Sequence, residues 1–202
     1  MLQRLIVISI LLQSAPWCHG FIKQSEIKKE ILKEMDANKP YVDSNVNSYE
    51  KEKEDFQSLK LKGAAYHVDS CKKVFGTLGQ YENYKKMISF IKESHYNEKN
   101  KRVFFLLSHF LLPFDMVMDF KIPRIKDEGM YTFKFDQGFL KSLIGEIFVQ
   151  NLNEVKYKCF ISIDINWSGP DSPFPDFIFQ YFSKVLLNRS IKKLWSESNH
   201  HF

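Results

Sequence analysis

Alternating hydrophobic and polar positions run through much of residues 56–167 and predict a chain built mainly of β-strands. The clearest case is FDMVMDFKI at 114–122, where every second residue from Phe114 to Ile122 is apolar and falls on one face. The other predicted strands cover residues 56–68, 88–97, 102–112, 130–135, 143–151 and 155–167. The short polar turns between most of them favour an antiparallel sheet.

Helical periodicity interrupts this pattern in two places. Two short helices, at about 71–79 and 81–87, are predicted between the first two strands, and a helix of about five turns at 176–195 ends the pattern. The first half of the last helix is apolar nearly all round, which predicts burial on most sides. The order β-α-α-β6-α therefore predicts an α+β protein, with a seven-stranded curved antiparallel sheet wrapped around the C-terminal helix.

The residues before this pattern divide into three parts. Residues 1–20 combine Arg4, an apolar run and small residues near Gly20, which is typical of a secretory signal and predicts a periplasmic or secreted protein. Residues 25–36 predict a helix that places Ile27, Ile31, Leu32 and Met35 on one face. Residues 37–55 are polar and predict a linker, so the domain is expected at 56–195, with a tail at 196–202.

Composition adds limits to the function. Aromatic residues make up 15% of the chain, and 19 of them are Phe, which indicates a large core or a large apolar pocket. The net charge of +5 is mild, and basic residues are mixed with acidic ones, so we do not expect nucleic-acid binding. The sequence shows no metal-ligand spacing, phosphate-binding glycine loop or ordered Ser-His-Asp set, so no metal, cofactor or catalytic group is expected.

A curved sheet that holds one helix encloses space, which either side chains or an apolar ligand must fill. The alternative is that the inward rings pack only against each other. The candidates for chemistry inside such a cavity are His109, Tyr131, Tyr157 and Arg189. His109 would act as a base and Arg189 would meet an acid group, and the alternatives are a core histidine and a solvated arginine. The predicted cavity lining comprises Phe105, His109, Met116, Met118, Phe120, Tyr131, Phe133, Phe135, Tyr157, Ile161, Ile163, Ile178, Phe182, Val185 and Arg189.

One segment also carries a family resemblance. VDSCKKVFGTLGQYENYKKMISFIKES at 68–94 is similar to the opening of START-like (SRPBCC) helix-grip proteins, the superfamily of polyketide cyclases, coenzyme Q-binding proteins and lipid-transfer domains. The resemblance covers about residues 56–195. It implies a hydrophobic tunnel plugged at one end by the two small helices, and antiparallel pairing of the first and last strands. The matching residues are Val68, Val74, Phe75, Leu78, Tyr81 and Tyr84.

The same resemblance bears on whether two of the cysteines form a disulfide. Cys71 and Cys159 remain after a signal cleavage, and an oxidising compartment permits one disulfide between them, with two buried thiols as the alternative. The paired first and last strands of the implied fold would bring the two residues towards each other, and a bridge requires Cα atoms less than about 7 Å apart.

The sequence therefore predicts an exported, non-catalytic carrier that holds a lipid or another hydrophobic small molecule. The alternatives are a cyclase- or hydrolase-like enzyme on the same fold and a protein-interaction domain without a ligand. The predicted strand 102–112 is apolar on both faces, so its outer face is expected to be covered by the N-terminal helix or by a second copy. The alternative is that residues 109–114 form an exposed apolar rim for transient contact with a membrane or a partner.

Overall fold

The structure is a computed structural model that describes residues 32, 35, 39–109, 114–138, 140–170, 172 and 174–198. The predicted signal at 1–20 lies outside the described residues, and so does the helix at 25–36 apart from Leu32 and Met35, which are helical. Of the tail predicted at 196–202, residues 196–198 instead continue the C-terminal helix, and residues 199–202 lie outside the described residues. The strands are β1 (Tyr41–Lys51), β2 (Glu54–His67), β3 (Ile91–Asn97), β4 (Arg102–Leu107), β5 (Met116–Lys121), β6 (Gly129–Phe135), β7 (Ile144–Asn151) and β8 (Cys159–Pro170). The helices are α1 (Cys71–Leu78), a 3-10 turn (Tyr81–Asn83), α2 (Tyr84–Met87) and α3 (Asp176–Ser198).

The strands form one antiparallel sheet in the order β1-β2-β8-β7-β6-β5-β4-β3. The α+β class and the C-terminal helix agree with the prediction, but the sheet has eight strands rather than seven. The predicted pairing of the first and last predicted strands is present, since β2 pairs with β8 from Phe56 opposite Pro170 to His67 opposite Cys159.

The additional strand, β1, lies in the segment that was predicted to be a linker. Its buried positions alternate, with Val42, Ser44 and Val46 facing inward and the residues between them exposed. Serine at one inward position weakens the hydrophobic alternation, which is why the pattern was interpreted as irregular. β1 pairs with β2 along its whole length, from Tyr41 to Lys51, so the sheet begins 15 residues before the predicted domain boundary at 56.

Helix α3 lies against one face of the sheet, here called the inner face, and polar contacts hold both of its ends. At the start, the Asp176 carboxylate accepts hydrogen bonds from the Ser48 backbone N–H (2.9 Å) and hydroxyl (2.7 Å) and from Gln57 Nε2 (2.7 Å). These donors lower the pKa of Asp176. Near the end, Trp195 Nε1 donates to the backbone oxygen of Tyr66 at 2.6 Å. The helix is therefore fixed to β1 and β2 at two separate points.

The prediction that the first half of α3 is buried on most sides is wrong. Phe177 is 72% exposed, Tyr181 63% and Ile178 39%, whereas Phe179 and Phe182 are buried. The sheet therefore covers only one side of the helix, and the opposite side keeps an apolar surface.

The outer face of the sheet carries a second apolar cluster. Tyr66 of β2 stacks on Tyr157 with ring centroids 5.0 Å apart, and Phe160 of β8 lies beside them. Leu32 and Met35 pack on this cluster. Leu32 and Met35 thus cover the outer face at β2 and β8, while the rest of the helix predicted to cover the 102–112 strand lies outside the described residues.

At that strand, the structure describes β4 as ending at Leu107, and residues 110–113 lie outside the described part of the chain. Phe105 and Leu107 face inward and are buried, while Phe104 and Leu106 face outward and are half-buried. Most of the rim predicted at 109–114 is therefore not described, apart from His109 and Phe114.

Candidate functional site: an apolar cavity

A cavity of about 290 Å³ lies between the inner face of the sheet and helix α3. Its wall is made of aliphatic and aromatic side chains from seven of the eight strands, from α3 and from the two small helices with the segments that flank them. The alternating inward positions of the strands supply most of it because successive residues of a strand point to opposite faces.

An aromatic group forms the floor of the cavity at β5 and β6. The rings of Phe120 and Phe135, which pair across these strands, stack with centroids 4.6 Å apart. Phe133 lies over Gly145 of the next strand, and a Cβ atom built on that glycine would sit 2.1 Å from the ring. Glycine is therefore required at position 145 for this ring to lie flat on the wall.

Two tyrosines of the segment between β2 and β3 close one end of the cavity. Tyr84 stacks on Phe105 with centroids 5.5 Å apart, and its hydroxyl donates to the Leu78 backbone oxygen at 2.8 Å. The Tyr81 hydroxyl donates to the Pro123 backbone oxygen at 2.9 Å. Burial raises the pKa of both phenols, so both remain neutral donors committed to backbone acceptors.

The small helices that close this end, residues 71–87, are here called the plug. The first residue of the plug is bonded to the sheet. The sulfur atoms of Cys71, at the start of α1, and Cys159, at the start of β8, form a disulfide with Cα atoms 4.9 Å apart. Both residues are fully buried, and the Cys71 backbone N–H donates to Asn151 Oδ1 at 3.1 Å.

Arg124 attaches the far side of the plug. Its guanidinium donates to the Gly79 backbone oxygen at 2.5 Å and to Glu98 at 2.6 Å, and it lies over the Tyr96 ring at 4.4 Å. An ion pair with Glu82 at 3.1 Å completes the set. The plug is therefore fixed at its first residue by a covalent bond and at its middle, Gly79 and Glu82, by a charged cluster.

Helix α3 contributes the opposite wall. Phe182, Leu186 and Ser190 lie on this wall, and the Ser190 hydroxyl donates to the Leu186 backbone oxygen at 2.8 Å within the helix. The helix approaches the sheet closely at Gly63 of β2, where an added Cβ would lie 2.9 Å from Leu187 and 3.1 Å from Ile191.

The structure places nine of the 15 predicted lining residues on the cavity wall. They come from β4, β5, β6, β8 and α3, and they are Phe105, Met116, Met118, Phe120, Phe133, Phe135, Ile161, Ile163 and Phe182. The other six lie elsewhere, and their assignment to the lining is corrected below.

His109 and Arg189 contact each other outside the cavity wall, with His109 Nε2 3.4 Å from Arg189 Nη1. Arg189 is exposed and His109 is half-buried. The prediction for His109 extended the alternation of the 102–112 strand past its observed end at Leu107, so it gave the wrong direction.

Tyr131 and Tyr157 are likewise outside the lining. The Tyr131 hydroxyl accepts from the Asp127 backbone N–H (3.1 Å) and donates to the Asp127 backbone oxygen (2.8 Å), which fixes the turn before β6. Tyr157 precedes β8, whose first residue is Cys159, and packs in the outer cluster. The predicted alternation from residue 155 therefore does not reach it.

Ile178 and Val185 do not line the cavity, so the predicted phase of α3 was wrong. Residues 177–179, 181 and 182 are all apolar, so the sequence does not indicate which of them turns towards the sheet. The observed inward set is Phe179, Phe182, Ser183, Leu186, Leu187, Ser190, Ile191, Leu194 and Trp195.

Several lining residues were missed by sequence reasoning. Leu59 and Leu61 of β2 alternate with lysines in SLKLKG, and this signal was available. Tyr81 and Tyr84 were identified only as matches to the family pattern. Ile125 lies between strands, where no periodicity indicates direction.

The described residues contain no group of three or more His, Cys, Asp or Glu side chains arranged to hold a metal ion. No helix among them combines the length and hydropathy needed to cross a bilayer.

Comparison with known proteins identifies the fold. The chain is similar to a START superfamily protein from Mycobacterium smegmatis (11% identity, TM-score 0.56, 70% of this chain and 97% of that chain). It is also similar to Ara h 8.0201 (13%, 0.53, 71% and 99%) and to the protein XoxI from Bacillus cereus (11%, 0.54, 71% and 99%).

The sequence matches no protein-family model, and no curated protein matches it. At these identities the likeness defines the architecture alone. The chain has a START-like, Bet v 1-like fold, as the family resemblance predicted, with an additional strand at one edge.

Proposed function

We propose that this protein is a non-catalytic carrier that holds one hydrophobic small molecule or lipid chain in the cavity between the sheet and α3. The observation that carries this proposal is a cavity of about 290 Å³ whose tyrosine hydroxyls donate to backbone carbonyls and not into the cavity. Such a wall offers apolar contact but no free phenol donor, which suits an apolar ligand.

The size of the cavity supports an occupant. The wall of the cavity is almost wholly apolar, so an apolar ligand that fills the space removes that surface from water, which stabilises the complex by about 25 cal/mol per Å² buried. The volume lies at the small end of ligand sites, about 300–1,000 Å³, which favours a single chain or one compact molecule.

The enzyme alternative has less support. Its two predicted polar groups, His109 and Arg189, meet each other outside the cavity wall, where they do not face a bound molecule. A cyclase or hydrolase needs a positioned acid or base within hydrogen-bond reach of its substrate.

The carrier is tested by filling the cavity. Met118→Trp adds a large side chain to the wall, and Val117→Trp is the matched control because Val117 is the next residue of β5, 47% exposed on the other face. We expect native mass spectrometry with organic extraction to recover a hydrophobic molecule from the wild type and Val117→Trp, but much less from Met118→Trp. Equal recovery from all three, or none from the wild type purified from its own compartment, contradicts the proposal.

Export and membrane contact belong to the same proposal. A secreted or periplasmic carrier requires removal of the N-terminal signal, which intact-mass measurement of the protein from its native host detects; retention of residues 1–20 contradicts it.

The exposed aromatic side of α3, with Phe177 and Tyr181, supports brief contact with a membrane during exchange. We expect Phe177→Ser/Tyr181→Ser to slow transfer of a bound fluorescent lipid to vesicles, without changing its affinity for the protein. An unchanged transfer rate contradicts membrane contact through this face.

A further inference from the structure

A second pocket, of about 230 Å³, adjoins the cavity at the C-terminal part of α3. It lies between the end of β2, the last turns of α3 and the described residues Met35, Lys39 and Pro40 that precede β1. The two spaces share three wall residues, Ala65, Ile191 and Trp195. A molecule longer than the cavity has a neighbouring space to enter at this point.

The polar properties of the two spaces differ. In the cavity, Tyr81, Tyr84 and Ser190 all donate their hydroxyl protons to backbone oxygens. Ser183 is a further hydroxyl residue of this wall, so a polar head group placed there would replace few of its hydrogen bonds to water, and each one lost costs about 1–3 kcal/mol. The polar end of an amphiphile therefore favours a position outside the cavity.

The second pocket is lined by positive charge. Lys39 and Lys192 are both on its wall and both exposed, and no Asp or Glu among the described residues lines it. His67 also lies on this wall, and burial lowers its pKa, so its ring is neutral at pH 7. Lys192 brings its positive charge from the C-terminal part of α3. Lys39 approaches from the N-terminal segment and adds positive charge from the other side.

The wall residues that the cavity and the second pocket share are held in place. Trp195 is fixed by its hydrogen bond to Tyr66 and by an edge contact with His67, with centroids 5.6 Å apart. Ala65 is the smallest residue that both spaces share. A single methylene chain passes more easily beside an alanine than beside a fixed indole.

We propose that the second pocket binds the anionic head group of a single-chain amphiphile whose hydrocarbon chain occupies the cavity. This inference rests on the proposed carrier function and narrows its ligand to an acid with one chain. The head group is recognised through charge by Lys39 and Lys192, and the chain through burial.

The test uses decanoic acid and 1-decanol, which share a chain and differ in the charge of the head group. We expect calorimetry at low salt and pH 7.5 to show that wild-type protein binds decanoate about twofold to thirtyfold more tightly than decanol, the range for two exposed charge contacts. Raising the salt concentration should reduce this preference. Lys39→Gln/Lys192→Gln should remove it and leave decanol binding unchanged.

The matched control is Lys60→Gln/Lys184→Gln, which removes two exposed lysines that line neither space. This variant should bind both probes like the wild type. Equal affinity for the two probes, tighter binding of decanol, or an acid preference that survives in Lys39→Gln/Lys192→Gln overturns the inference while leaving a carrier of neutral ligands. Failure of the wild type to bind either probe counts against the carrier proposal itself, and the head-group inference falls with it.

Discussion

Removal of the disulfide between Cys71 and Cys159 is predicted to destabilise the protein strongly. The bond closes a loop with a sequence separation of 88 residues. In the chain-entropy treatment, closing a loop of that length lowers the entropy of the unfolded state by about 15 cal/mol/K, which stabilises the folded state by about 4.6 kcal/mol at 25 °C. For a domain of this size, each kcal/mol corresponds to about 2–4 °C in melting temperature. Cys71→Ala/Cys159→Ala should therefore melt roughly 10–18 °C below the wild type.

The assay is thermal unfolding followed by circular dichroism, with and without a reductant that acts on the unfolded chain. The wild type should shift towards the variant when the reductant is present, because the opened bond cannot re-form after unfolding. The double variant lacks the bond and serves as the control, since its melting temperature should not respond to the reductant. Alanine is preferred to serine because both positions are fully buried and a hydroxyl there would need a new partner.

Two results would refute this reasoning. A loss of less than about 1 kcal/mol in the double variant would mean that the bond does not restrict the unfolded chain as the loop length requires. A wild type that is insensitive to reductant even when unfolded would mean that the sulfurs are not joined in solution. A further consequence concerns the site: because Cys71 begins the plug, the variant should release a bound hydrophobic probe faster, and unchanged dissociation would separate stability from retention.

The remaining predictions concern single positions. His67 has a pKa below the ordinary 6.5 because it is buried, so the unfolded chain takes up the proton more readily; its stabilisation is complete above about pH 6.5 and is lost as the pH falls towards the folded-state pKa. His67→Phe should flatten the fall in melting temperature between pH 7 and pH 5, and an equally steep fall would contradict the assignment. Gly145→Ala should push the Phe133 ring into the cavity and weaken ligand binding more than stability, whereas Gly76→Ala, in α1 with open space around it, should stabilise by about 0.5–1 kcal/mol and leave binding unchanged. Arg124→Met should lower the free energy of unfolding by roughly 1–3 kcal/mol, because it leaves two carboxylates unpaired and one backbone oxygen unsatisfied. Urea unfolding measures this loss, and a loss of less than about 0.3 kcal/mol would contradict the role of Arg124 in fixing the plug.

The sequence was most informative where one face of a strand is continuously apolar. The inward positions of β5 were predicted because Met116, Met118 and Phe120 alternate with polar or exposed residues, and the same holds for Phe133 and Phe135 of β6. In these strands the period of two fixes the direction of each side chain as soon as one is known to face the core.

Prediction failed where the pattern does not determine direction or extent. Strand β1 was missed because Ser44 occupies an inward position that the fold leaves close to α3 rather than filled by a large side chain. The phase of α3 was ambiguous because Phe177, Ile178 and Phe179 are all apolar, and only contact with the sheet selects among them. The length of β8 was overestimated at its start, which placed Tyr157 on the wrong face.

The distribution of contacts along α3 gives a physical reason for a cavity in this fold. The helix is held to β1 and β2 at its ends, by Asp176 and by Trp195, and it approaches the sheet closely at Gly63 between them. All three contacts lie at one side of the sheet, whose order places β3 to β6 furthest from β1 and β2. The large rings of β5 and β6 therefore face the helix across a gap, because the helix is anchored too far away to pack on them. Enlarging residues on the β5 and β6 side should fill the gap at little cost in stability, whereas enlarging Gly63 should displace the helix itself.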